Sequence, residues 1–282
     1  MPEPARELPP LREIIARHGL LARRALGQHF LLDLNLTRRI AGAAGDLSQG
    51  TTIEIGPGPG GLTRALLELG AARVVAIERD ARCVAALDGL ADAHPGRLEV
   101  IEGDALAIDA AALGAPPRRI VANLPYNIAT ALLVRWLARI REFTSLTLMF
   151  QREVAARLAA APHTKEYGRL SVLTQWLTDV ELLFNIARKA FVPPPKVLST
   201  VVRIRPRAQP LAAAERDALE AVTAAAFGQR RKMLRSSLRQ LGVEVPALLA
   251  AAGLAPTARA EEISVEGFCA LARAYRRLKQ AS

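Results

Sequence analysis

A β-branched run, Thr51-Thr52-Ile53, leads into Glu54-Ile55-Gly56-Pro57-Gly58-Pro59-Gly60-Gly61, and a helical pattern of Leu62, Leu66, Leu67 and Leu69 follows. Strand, glycine-rich turn and helix in that order form the opening unit of a nucleotide-binding parallel sheet. Val74-Val75-Ala76-Ile77 reads as the next strand and ends at Glu78. A carboxylate about 20 residues past the glycines is placed to accept hydrogen bonds from ribose hydroxyls. A third apolar run, Leu98 to Ile101, leads to Asp104, a carboxylate able to hold the amino edge of a cofactor adenine.

Strands are predicted near 52–55, 73–78, 98–102, 118–122 and 145–150, with helices between them. This alternation calls for an α/β fold whose parallel sheet is covered on both faces. Ligands of such sheets sit beyond the carboxyl ends of the strands, where the glycine loop, Glu78, Asp104 and Asn123 all fall. An amphipathic helix over Leu11–Arg17, a basic loop from Arg23 to Leu31 and a helix bearing Leu34, Leu36 and Ile40 precede the sheet.

The glycine loop, with Gly56 and Gly58 at its centre, fits either a dinucleotide or a methyl donor. Pro57 and Pro59 each remove an N–H that a pyrophosphate cradle would use. S-adenosyl-L-methionine has no phosphates and loses nothing by their absence, so it is the expected cofactor.

Asn123-Leu124-Pro125-Tyr126 closes the fourth strand. The amino nitrogen of adenine is a poor nucleophile because its lone pair is delocalised into the ring. An Asn carboxamide oxygen and the next backbone carbonyl, that of Leu124, can each accept one amine hydrogen. Such pairing favours a pyramidal nitrogen with its lone pair free to attack a methyl group. Pro125 fixes φ and holds Leu124 extended, and Tyr126 offers a face on which a base can stack. Alone, these four residues fit a strand end and a proline turn equally well; the glycine loop upstream favours the catalytic reading.

The chain has 282 residues, 51% of them hydrophobic, with net charge +11 and pI near 10.7. That size allows one large domain and a smaller one, and the charge points to a polyanionic partner. Cys83 and Cys269 sit in apolar contexts and are expected as buried thiols. His18, His29, His94 and His163 lack metal-ligand spacing, so no metal is expected. Met1-Pro2-Glu3-Pro4 has neither a basic nor an apolar signal region, and no run is long enough to span a membrane. The expectation is a soluble, cytoplasmic protein.

The texture changes after Gly168. Val180–Ile186 and Leu198–Ile204 read as two strands, an antiparallel pair at the sheet edge, joined through the stiff segment Phe191-Val192-Pro193-Pro194-Pro195-Lys196. From about 207 the chain is Ala-rich and helical, with stops at Gly228, Gly242 and Gly253, so the domains are set at 1–206 and 207–282. No acidic residue lies between Glu220 and Glu244, a stretch that holds Arg230, Arg231, Lys232, Arg235 and Arg239. Arg231, Arg235 and Arg239 lie at i, i+4 and i+8, a stripe on one helix face. Unpaired like charges at that spacing cost helix stability, so phosphate binding explains the stripe better than a solvated surface.

The segments Leu26-Gly27-Gln28-His29-Phe30-Leu31, Glu54–Gly60, Asn123–Ile128, Tyr167–Val172, Phe191–Val197 and Gln229–Leu238 resemble, in order and separation, those of the bacterial small-subunit ribosomal RNA adenine dimethyltransferases. The resemblance covers nearly the whole chain. It implies a Rossmann-like methyltransferase sheet with a small all-helical C-terminal domain. It further implies S-adenosylmethionine-dependent dimethylation of the exocyclic N6 of two adjacent adenosines near the 3′ end of small-subunit rRNA. The partner would be that rRNA within a pre-small-subunit ribosomal particle, and the protein a monomer. By the same resemblance the donor contacts His29, Leu31, Gly56, Glu78, Asp104 and Asn123, and Phe191 packs on the flipped base opposite or edge-on to Tyr126, the alternative being a plain core aromatic. His29 departs from the family pattern, which has Asn there. Alternatives are a large-subunit rRNA methyltransferase of the antibiotic-resistance type, an assembly factor whose binding outweighs catalysis, and, less favoured because of Leu124, a DNA adenine methyltransferase.

Overall fold

In the computed structural model, residues 8–23 and 26–281 are described. Arg24 and Ala25 of the basic loop, and the segment Met1-Pro2-Glu3-Pro4, lie outside them. The chain divides into two compact units, 1–152 with 181–206 and 153–180 with 207–282. The division differs from the single boundary at 206, because 153–180 joins the helical unit.

The first unit holds β1 (Phe30–Leu31), β2 (Thr51–Ile55), β3 (Val74–Glu78), β4 (Leu98–Glu102), β5 (Arg118–Asn123), β6 (Ser145–Gln151), β7 (Thr178–Ile186, which enters it at Glu181), β8 (Phe191–Val192) and β9 (Ser199–Pro206). Seven of them form one sheet in the order β4-β3-β2-β5-β6-β9-β7. The pairs among β2 to β6 are parallel, and β9 runs antiparallel to β6. β9 and β7 are neighbours at the edge, as their sequences lead one to expect. Every residue of β2 and β3 is buried, which accounts for their unbroken apolar and β-branched runs.

Helices α1 (Leu11–Arg17), α2 (Leu34–Gly42), α3 (Gly61–Glu68), α4 (Ala81–Ala93) and α5 (Tyr126–Ala138) complete this unit. Asp33 caps α2 by accepting the N–H groups of Asn35 and Leu36, and Asp80 caps α4 through Arg82 N–H. The strand order reverses at β2, between β3 and β5, so a crevice opens beyond the carboxyl ends of β2 and β5. Phe30 and Leu31 pair with Val192 and Phe191 in a small antiparallel ribbon, a long-range contact that no local pattern announces.

The second unit comprises α6 (Arg152–Leu158, which enters it at Glu153), α7 (Arg169–Leu177), α8 (Arg216–Gly228), α9 (Leu234–Ser237), α10 (Val245–Ala252) and α11 (Val265–Ala281). Its core gathers Tyr167, Val172, Leu219, Leu234, Leu248 and Phe268. Tyr167 is fully buried, donates to the Ile263 carbonyl at 2.9 Å and meets Phe227 edge-on. Tyr167–Val172 is therefore a structural segment, with the Ser171 hydroxyl accepting Gly168 N–H at the start of α7. Cys83 and Cys269 are both buried, and burial pushes their thiols up to about 12 and about 11. Among the described residues no helix is long and apolar enough to cross a membrane.

Candidate active site

A pocket of about 1050 Å³, its open mouth included, fills the crevice beyond β2 and β5. Its walls include His29, Leu31, Gly56, Gly58, Glu78, Asp104 and Asn123 together with Leu124, Pro125 and Tyr126. Residues spread over a hundred positions of sequence thus meet because every parallel strand delivers its carboxyl end to the same edge.

The glycine loop directs its N–H groups inward. Gly56 N–H goes to the Ile77 carbonyl at 2.9 Å, Gly58 N–H to Glu78 Oε2 at 3.0 Å and Gly60 N–H to the Pro57 carbonyl at 3.0 Å. Pro57 and Pro59 have no N–H to give. Residues 56–60 therefore present no donor to a phosphate, and the loop is a poor pyrophosphate cradle. Glycine is needed at Gly58 because φ is +54° and a Cβ would sit 3.1 Å from the Phe30 ring.

Glu78 is 6% exposed and accepts three backbone N–H groups, those of Gly58, Arg79 and Asp80. Burial raises its pKa, and these hydrogen bonds oppose the rise. Oε1 takes the Arg79 and Asp80 N–H groups and Oε2 takes only that of Gly58, so Oε2 keeps capacity for a further donor. Asp104, at the pocket rim, accepts Leu106 N–H at 2.9 Å and lies 3.3 Å from Arg79 Nη1.

Glu54 escapes a motif reading that treats it as the end of a strand. It lines the pocket, is 1% exposed, and neither carboxyl oxygen makes a hydrogen bond. Burial pushes its pKa up to about 8, with the Thr63 hydroxyl dipole opposing and the Glu78 charge adding to the shift. The available signal was a glutamate inside a run that is otherwise fit for a doubly covered strand. Gln28, Asp80 and Arg82 were also missed. Gln28 Nε2 donates to Asp80 Oδ2 at 3.0 Å, while Arg82 holds the Asp80 carboxyl down near 2. This link ties the loop before β1 to the start of α4.

At the other wall, Asn123 Nδ2 donates to the His29 carbonyl at 3.1 Å. Only the amide nitrogen can serve a carbonyl, so the carboxamide oxygen is the atom left to accept. Tyr126, at the start of α5, is half-buried and its hydroxyl lies 2.5 Å from the Ser199 hydroxyl. The His29 ring sits 5.7 Å from the Tyr126 ring at a 31° tilt. Its Nδ1 is 2.7 Å from the Pro193 carbonyl, which makes Nδ1 a protonated donor. The side chain at position 29 thus packs on the tyrosine wall.

Phe191 stands elsewhere. It is 1% exposed, packed in a core cluster with Leu31, Val121, Met149 and Val201, and it is not part of the pocket wall. The family resemblance implies a place against the flipped base; in the structure the ring is buried in the core beneath the β1–β8 ribbon instead.

In the helical unit the expected arginine stripe is broken. α8 ends at Gly228 and Gln229–Lys232 form a turn, Lys232 N–H reaching the Gln229 carbonyl. Met233 bridges to Arg259, Leu234 N–H goes to the Ala258 carbonyl and Arg235 N–H to Pro256. These distant carbonyls replace helical i−4 partners, so α9 is one turn long and Arg231, Arg235 and Arg239 do not share a continuous helix. Arg231, Lys232, Arg235 and Arg239 remain exposed. Arg230 does not stand unneutralised: its Nε is 3.0 Å from Glu261.

Comparison with known proteins agrees with this geometry. The model of the family described as ribosomal RNA adenine dimethylase matches residues 19–277. The chain is 67% identical over 271 residues to ribosomal RNA small subunit methyltransferase A of Rhodospirillum rubrum, covering 96% of this chain and 94% of that one. A dimethyladenosine transferase from Plasmodium falciparum superposes with a TM-score of 0.78 at 24% identity, over 89% of this chain and 98% of that one. The 23S rRNA methyltransferase ErmE gives 0.64 at 30% identity, over 89% and 100%. With its Rossmann-like sheet, its pocket at the strand reversal and its match over nearly the full length, the chain belongs to the ribosomal RNA adenine dimethylase family.

Proposed function

We propose that this protein uses S-adenosyl-L-methionine to dimethylate the N6 amino groups of two adjacent adenosines near the 3′ end of small-subunit rRNA. The substrate would be a pre-small-subunit particle and the enzyme a cytoplasmic monomer. The observation that carries this reading is one pocket joining a glycine loop without phosphate donors to an Asn123 carboxamide oxygen held free for an amine. The 67% identity to a small-subunit enzyme, against 30% to the 23S enzyme, supports the small-subunit substrate.

The pocket fits the donor. Glu78 would accept the ribose hydroxyls and Asp104 the adenine amino group, with Gly56, Gly58 and Leu31 packing against it. Glu54, without a protein partner for either oxygen, suits an ammonium group. When bound, the donor supplies an electrophilic methyl on a sulfonium sulfur. Asn123 Oδ1 and the Leu124 carbonyl would each accept a hydrogen of the target amine and orient its lone pair. Pro125 holds the two acceptors in place, and Tyr126 stacks on the base, offsetting the few kcal/mol of unstacking. The amine proton passes to water once the nitrogen is cationic, so no strong base is needed. Positioning and electrostatics carry the acceleration. Exposed Arg231, Lys232, Arg235 and Arg239, and Arg230 within its ion pair, would contact RNA phosphates.

The test is to incubate the purified protein with donor and undermethylated small-subunit particles, then quantify N6,N6-dimethyladenosine in the digested RNA by mass spectrometry. Its appearance at two adjacent adenosines near the 3′ end is expected; no transfer to small-subunit RNA would overturn the proposal.

A further inference from the structure

Between Glu181 and Glu215 the chain has no acidic residue. The first of these carboxylates is bound to Arg203 at 2.5 Å. Inside this stretch lies the strap 188–197, which is joined to the pocket wall through the hydrogen bond from His29 to the Pro193 carbonyl. It is anchored from below: Phe191 is buried, Phe191 and Val192 pair with Leu31 and Phe30, and Pro195 is buried. Arg188 Nη1 donates to the Lys196 carbonyl at 3.2 Å, which ties the two ends of the strap together. His29, itself a pocket wall, donates to the Pro193 carbonyl, which fixes the strap beside the Tyr126 ring.

What the strap shows to solvent differs from an ordinary polar surface. Val192 is 52% and Val197 42% exposed, and Pro193 and Pro194 are exposed between them. Arg188, Lys189 and Lys196 are exposed on the same segment, and none forms an ion pair among the described residues. A rigid, apolar, uniformly cationic edge suits a partner with flat apolar faces and closely spaced anionic groups. Single-stranded RNA has both, and because His29 holds the Pro193 carbonyl and packs on the Tyr126 ring, nucleotides flanking a base stacked on Tyr126 would lie within reach of this edge.

We propose that the strap 188–197 docks the single-stranded RNA that flanks the target adenosine, with Lys189 and Lys196 on phosphates and Val192–Pro194 against the neighbouring base. The proposal rests on the rRNA methyltransferase reading above. It adds a second RNA contact, in the sheet unit, to the basic segment of the helical unit.

The experiment uses the full-length protein, undermethylated small-subunit particles and S-adenosylmethionine at several salt concentrations. Lys189→Ala and Lys196→Ala together should raise KM for the particles at least tenfold and leave kcat and donor affinity within about twofold of wild type. The slope of log KM against log salt should fall by about 1.4, since a single-strand phosphate contact contributes about 0.7. Lys196→Arg should restore most of the affinity. An unchanged KM and slope, with normal donor binding and thermal unfolding, would overturn the proposal. So would a higher KM with an unchanged slope, because the lysines would then act through the fold. If the double variant does not fold, Lys189→Gln alone should give half the slope change, and no change there counts against the idea. Failure of the wild-type protein to methylate the particles would overturn the function itself and this proposal with it; normal wild-type transfer beside unaffected variants would overturn this proposal alone.

Discussion

The side-chain amide of Asn123 donates to the backbone carbonyl of His29 at 3.1 Å. One hydrogen bond thereby fixes which end of the carboxamide is left to accept, and it joins β5 to the loop before β1. A free Asn would flip its amide at little cost; this one is oriented before any substrate arrives, as electrostatic preorganisation requires.

Loss of that acceptor should be felt in the transition state. Asn123→Ala is expected to lower the single-turnover methylation rate by about 10²–10³, by analogy with losing one oxyanion donor. RNA affinity should stay close to wild type, since it comes from many phosphate contacts. Donor affinity is to be measured in parallel because the proposed donor site and the proposed amine site both include Asn123. A near-normal rate at saturating donor and RNA would remove Asn123 from the reaction.

Glu78→Ala should weaken donor binding by roughly 1.5–3 kcal/mol, the worth of hydrogen bonds to a charged acceptor. The same substitution frees Gly58 N–H from its partner, so the glycine loop loosens as well. Glu78→Gln keeps one acceptor oxygen and should fall between the two. Calorimetric affinities equal to wild type in a folded variant would exclude Glu78 from the donor site.

Stability should depend on pH through Glu54. Below about 4.5, its ordinary value, the carboxyl is protonated in both states and the full stability is present. As pH rises toward about 8 the unfolded chain ionises while the buried group stays protonated, so stability is lost through that window and levels off above it. Glu54→Gln should remove the slope and be the more stable protein at pH 8, by on the order of 3–5 kcal/mol. Urea unfolding from pH 4.5 to 9 checks this, and parallel profiles for the two proteins would refute it.

Affinity for the particles should fall steeply with salt, and Arg231→Ala or Arg235→Ala should each flatten the slope by about one unit. Arg230→Ala should do less, because its charge is already opposed by Glu261. Equal effects at Arg230 and Arg231 would mean that the ion pair opens on binding; no effect at Arg231 or Arg235 would leave the segment as solvated surface.

Tyr126→Phe should retain base stacking and cost only the hydroxyl's bond to Ser199, so methylation should drop a few-fold at most. Tyr126→Ala should weaken productive RNA binding by about 1–3 kcal/mol, the worth of a stacked base. Identical behaviour of the two variants would contradict the stacking role.

Local chemistry explains how much of this was legible. The alternation of strands and helices follows from burial on both faces of a parallel sheet, so β2 to β6 fall close to where their apolar runs place them. Gly56, Glu78, Asp104 and Asn123 could be assigned to one edge because a parallel sheet brings all its strand ends together. Tertiary structure alone decided the rest. The pairing of Phe30–Leu31 with Phe191–Val192 joins segments about 160 residues apart, and it turns Phe191 inward. Carbonyls at Pro256 and Ala258 capture the N–H groups of Arg235 and Leu234, ending a helix that the spacing of arginines favoured. Glu261 finds Arg230, and the His29 carbonyl aims Asn123. Periodicity reports which face of a segment is buried; which distant group satisfies a given donor or charge depends on where the whole chain packs, and a one-dimensional pattern does not contain that.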